Sequence, residues 1–170
     1  MTNNTTTVKR PAGLIRERIL RYVEDMKVDN ERCRRDDGKI LNAFENREPT
    51  AKEKAAVEYY TDLDLKATQA ALKQLGEKAL TPEEAREFYR ATYESRVLED
   101  DLERDARHYE LRQEAIAKHR TPHLYEQAVL EGRVERIIKE HTDPLCYLSF
   151  TREDGTRDES HCLPLMQHER

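Results

Sequence analysis

The residues best equipped for chemistry lie near the end of the chain, in the run DPLCYLSFTREDGTRDESHCLP at positions 143–164, which holds two of the three cysteines and a histidine. Leu145 to Thr151 is rich in β-forming residues, and Glu153-Asp154-Gly155 suits a three-residue hairpin loop in which Gly takes the left-handed conformation. That register sets Cys146 directly opposite Cys162. Three chemistries fit facing cysteines: a pair of reduced thiols packed as small apolar groups, a cross-strand disulfide, or a zinc site completed by two of His141, His161 and His168. Adjacent strand residues point to opposite faces, so His161 and Cys162 do not converge easily on one ion, and no Cys-x-x-Cys spacing supports the metal. An intracellular setting keeps such thiols reduced.

Asp105 and His108 stand three apart on one helical face, as half of a di-metal site would, but the paired Glu-x-x-His repeats of such sites are missing. A surface ion pair is the commoner meaning of that spacing. No Gly-x-Gly-x-x-Gly or Gly-x-x-x-x-Gly-Lys-Ser/Thr stretch cradles a phosphate, and no Gly-x-Ser-x-Gly elbow presents a nucleophile. The expectation is a protein that is not an enzyme, with no catalytic residue, metal ligand or cofactor assigned.

Charge suggests binding instead. The chain carries a formal net charge of −5, against general attraction to nucleic acid, but the charge is unevenly spread. Glu99, Asp100, Asp101, Glu103 and Asp105 form an acid run dense enough to imitate phosphates locally, diluted by Arg104 and Arg107. With Arg107 and Tyr109, these acids make the candidate surface for a protein partner. Lys9, Arg10, Arg16, Arg18 and Arg21 form a basic start, the candidate surface for an alternative reading as a nucleic-acid-binding accessory protein. Two solvated helix faces with ordinary charge bias would look the same.

The elements that must position these residues are mostly helices. Charged residues make up 38% of the 170 and apolar ones 36%, without Trp, a balance that favours long amphipathic helices packed through narrow stripes. Residues 1–10 read as a flexible tail, and 11–47 as one or two helical segments with Leu14, Ile15, Ile19, Tyr22, Val23 and Met26 on one face. A break near Gly38 favours two segments. Thr50 and Glu53 form a capping box that opens a helix over 50–79, whose small residues, such as Ala56, Ala67 and Ala70, let a neighbour approach closely. Thr81-Pro82-Glu83-Glu84 opens the next, and with no further Gly or Pro before His119 the spacing predicts one projecting helix over 81–119. At about 1.5 Å per residue it would run about 57 Å, far beyond the roughly 15 Å radius of gyration of a compact chain of this length. Thr121-Pro122 starts a last helix over 121–141, whose Val134, Ile137 and Ile138 are expected to dock on the hairpin at 143–166.

Within the long helical stretch, Ala91-Thr92-Tyr93 leading to Leu98-Glu99, then Ala106-Arg107-His108-Tyr109, and after a shortened gap Pro122-His123-Leu124-Tyr125-Glu126, resemble the Gam proteins of lambdoid phages, which inhibit a host recombination nuclease. The resemblance covers residues 91–126 and leaves out the basic start and the terminal hairpin. It implies a non-enzymatic dimer that competes with DNA by presenting acids from a projecting helix.

The expected fold is therefore mainly α, an elongated helical bundle with coiled-coil-like arms and a small C-terminal β-hairpin, all in one domain. A homodimer and a protein partner are expected, in which the chain inhibits or adapts another macromolecule. A small zinc- or thiol-dependent protein acting at the hairpin is the third reading. The start has no apolar stretch of a secretion signal and no window reaches the roughly 18–20 apolar residues of a membrane span, so a cytoplasmic protein is expected.

Overall fold

The computed structural model describes residues 14–42 and 45–142. It is mainly α: α1 (Leu14–Cys33), α2 (Ala51–Gln74), α3 (Pro82–Glu99), α4 (Leu102–Lys118) and α5 (Pro122–Thr142), with no strand among the described residues. The tail, Phe44 and the hairpin with Cys146 and Cys162 lie outside them.

Local chemistry starts and stops these helices. At α2 the Thr50 hydroxyl accepts from the Glu53 amide while the Glu53 carboxylate accepts from the Thr50 amide, and Thr81 and Glu84 repeat the arrangement at α3. At the end of α2, Gly76 has φ of +71°; its amide donates to Lys73 O and that of Glu77 to Leu72 O, a Schellman closure that a side chain at Gly76 would strain. Gln69 then fixes the return by donating to Leu80 O and accepting from Leu80 N. The start of α1 is capped from outside its own segment, since Glu77 Oε1 accepts from the amides of Ile15 and Arg16.

The N-terminal segment is helical only to Cys33, short of the expected end at 47. Gly38, at φ +75°, accommodates a turn, and no described residue between it and Ala51 is helical.

The expected helix over 81–119 is two helices. Asp100 takes an extended conformation, and Asp101 caps α4 by accepting from the Arg104 amide at 3.1 Å. Carbonyls freed at the break are met from a distant part of the chain: the Asn42 amide group donates to Val97 O at 3.2 Å and Asp100 O at 2.9 Å. The break turns the second half onto α2, so both α3 and α4 lie against that helix instead of projecting. An argument for a second chain from helix length alone falls with it.

α2 is the axis of the molecule, in contact with α3, α4 and α5. Ile15, Ile19, Val23 and Met26 of α1 pack with Leu72, Leu80, Phe88 and Ala91; Val57, Val97 and Leu102 join α2, α3 and α4 at the break. Ala67 and Ala71 of α2 admit Val134 and Ile137 of α5, with Ile138 beside them. The last helix therefore docks on α2, while its expected contact with the hairpin at 143–166 lies outside the described residues. Ala67 and Ala71 are fully buried, so the small face anticipated on this helix brings α5 close.

A candidate binding groove around an arginine hub

Asp64, on the middle turn of α2, is 7% exposed. Its carboxylate accepts from Arg133 Nε of α5 at 2.7 Å and from Arg96 Nη2 of α3, tying three helices at one point. Arg96 spends its other amino group on Asp100 at 3.3 Å, and its guanidinium lies 5.8 Å from the centroid of the Tyr60 ring. Burying a carboxylate at a helix interface requires such donors on both oxygens.

Beyond Asp100, Asp105 turns inward and is buried, taking Arg104 Nη2 at 3.3 Å. Burial first, and then the neighbouring Asp105 carboxylate, with which it shares a hydrogen bond, push the Asp100 carboxyl above the usual range against the pull of Arg96.

Arg96 separates two concave surfaces. One is a groove of about 430 Å³ bounded by α1, α3 and α5. Ile19, Tyr22, Met26, Phe88 and Ile137 supply its apolar wall; Asp64, Glu99, Asp100 and Glu140 line it as carboxylates against the two guanidinium groups of Arg96 and Arg133. Tyr22 stands 57% exposed in it. Its hydroxyl is pushed up by burial and then by the negative charge of Glu99, Asp64 and Glu140, against the pull of Arg96. Thr92 Oγ1 and Arg96 Nε, both in the groove lining, are buried without a hydrogen-bond partner. His141 at the groove end is driven down by burial and by Arg18. The other surface, of about 490 Å³, opens beside α4.

The structure scatters the acid run. Glu99 and Asp100 line the groove, Asp101 is an exposed helix cap, Glu103 is exposed, and Asp105 is turned to the other side of the hub. Arg107 is exposed, and Tyr109 packs its ring 5.1 Å from that of Tyr59. Their sequence neighbours suggested a continuous acidic face; a break at Asp100 divides it.

The basic start is also partly consumed. Arg16 pairs with Glu84, Arg18 donates to His141 O at 2.9 Å, Arg21 is exposed, and Lys9 and Arg10 lie outside the described residues. Cys33 is an exposed free thiol, and among the described residues no three His, Cys, Asp or Glu side chains are grouped to hold a metal ion. His108 does not join Asp105 as a ligand pair, because Asp105 belongs to Arg104 and Asp100.

Sequence reasoning missed Asp64, Arg96 and Arg133, the residues that build the groove floor. Their one signal is an Asp in the otherwise apolar stripe of α2, four residues after Tyr60 and three before Ala67. Among the described residues, no helix is long and apolar enough to cross a membrane. No protein-family model, no curated protein and no solved structure matches the chain.

Proposed function

We propose that this chain is a non-enzymatic interaction protein whose groove between α1, α3 and α5 receives a basic, amphipathic segment of a protein partner. The observation that carries this reading is the combination of an apolar wall with an excess of carboxylates in one concave surface. Apolar wall residues such as Tyr22 and Met26 would bury the partner's aliphatic side chains, and Glu99 and Glu140 would meet its Lys or Arg groups. An inhibitor or adaptor acting on another macromolecule works by such a contact. In this reading a DNA-processing enzyme of the kind implied by the Gam resemblance would be met through Glu99 and Asp100 in a groove, with no projecting arm.

Affinity capture from the native cell lysate, run in parallel with the wild-type chain and with a Glu99→Lys, Glu140→Lys double variant, tests the reading. Both positions are at the rim, so the variant should keep its helical circular dichroism. The expected result is a protein retained by the wild type, released by moderate salt and lost in the variant. Retention of the same protein by both chains at equal yield would place its contact elsewhere.

A further inference from the structure

The second concave surface carries an unusual arginine, Arg112. Among the described residues, nearly every arginine that is not fully exposed has a carboxylate within salt-bridge distance: Arg16 with Glu84, Arg34 with Glu94, Arg47 with Glu53, Arg96 with Asp64, Arg133 with Asp64. Arg18 makes its contact with the His141 carbonyl. Arg112 is the half-buried one with neither, and its interaction is the ring of Tyr60, 5.4 Å from guanidinium to centroid. A partly desolvated cation without a counter-charge is costly, and stacking on a tyrosine offsets part of that cost.

Arg112 lines the cavity of about 490 Å³ together with His108, Tyr60 and Tyr125. Of the two guanidinium groups in its lining, Arg96 is spent on Asp64 and Asp100, which leaves Arg112 facing the one carboxylate there, in a chain whose net charge is −5. That carboxylate, Asp105, is already occupied by Arg104. The volume is in the range of small-ligand sites, roughly 300–1,000 Å³. Planar guanidinium matches a tetrahedral oxyanion through paired N–H donors, and the Tyr60 hydroxyl and the His108 ring supply further hydrogen-bonding groups.

We propose that this cavity is a binding site for a small phosphate monoester, with Arg112 as its anchoring cation and Tyr125 offering a ring face to whatever the phosphate is attached to. The site is separate from the groove that would receive a protein partner, and stands or falls independently of it.

Isothermal titration of the full chain with inorganic phosphate and with adenosine monophosphate tests this. Saturable binding is expected, weakened at least about tenfold by Arg112→Gln, the loss of one charge-assisted pair. Arg112→Lys should retain part of it, and Lys118→Gln, which changes an exposed cation on the same helix, should leave it unaltered. Equal affinity for the two probes would mean that the oxyanion alone is recognised. Tighter binding of the nucleotide, removed by Tyr125→Ala, would mean that the ring is recognised as well; either result supports the site. No saturable binding of either probe at millimolar concentration would overturn it. So would equal weakening by Lys118→Gln, which would reduce the effect to diffuse surface charge, or binding of adenosine as tightly as its phosphate. Helical circular dichroism of each variant, unchanged, separates loss of binding from loss of fold.

Discussion

Single side chains in this protein are placed by paired charges more than by apolar bulk. Glu53 shows it best: buried at 5% exposure, its carboxylate takes both amino groups of Arg47, at 2.7 and 2.6 Å, and the Thr50 amide at 2.9 Å. The Arg47 hydrogen bonds, the largest influence, hold its carboxyl below the usual range, opposed by burial. A depressed carboxyl contributes stability that is fully present above its unfolded value and is lost as pH falls through its folded value. Glu53→Gln should cost about 2 kcal/mol near neutral pH, the order of a lost charge-assisted hydrogen bond in a partly buried site. Urea unfolding at several pH values should show that gap closing as pH falls below the ordinary carboxylate range. A gap that stays constant down to pH 2 would mean that Arg47 contributes only packing. The capping box was legible in the sequence because its members are three residues apart; the Arg47 fork was not, since it depends on the path of the loop before α2.

At the scale of elements, the decisive event is the interruption at Asp100 and Asp101. A sequence with no Gly or Pro between 83 and 119 reads as one helix, and each half has the composition for it. Two things favour the break. Asp101 is a good N-cap for α4, and Asn42 supplies donors to the carbonyls of Val97 and Asp100. Only the first is local, and an Asp inside a charged helix is too common to mark a boundary. Asp101→Ala should lower stability by about 1 kcal/mol in thermal or urea unfolding, whereas Glu103→Ala, an exposed acid from the same run, should change it by less than about 0.5 kcal/mol. Equal effects would show that the run acts through bulk charge and that the cap is incidental. A similar lesson comes from Thr121. It precedes α5 as expected, yet its hydroxyl meets His119 Nδ1 at 3.4 Å, in place of an amide of the next turn.

Over the whole molecule, α2 is the common neighbour, and Asp64 is where three helices are joined through one carboxylate. Removing that charge leaves Arg133 without its carboxylate and Arg96 with Asp100 alone. Asp64→Asn should therefore destabilise by on the order of 3 kcal/mol, the usual effect of breaking a buried pair from one side. Loss of less than about 1 kcal/mol in urea unfolding would mean that solvent reaches the hub and that it does not govern the packing of α3 and α5. The same hub divides the surface, with the carboxylate-rich groove on one side and the cavity lined by Arg112 on the other.

By itself, the sequence determined where helices begin, at Thr50, Thr81 and Pro122, and that Ile15, Ile19, Val23 and Met26 face inward, since caps and apolar periodicity act over one or two turns. It also determined that α2 would carry a small-residue face. Only the tertiary structure decided what met that face, which acids of the 99–105 run stayed together and which arginines were neutralised. Asp64 and Arg96 lie 32 positions apart, and Asn42 and Asp100 lie 58 apart. Their pairing depends on how α3, α4 and α5 close around α2, and a contact between residues so far apart leaves no spacing to read.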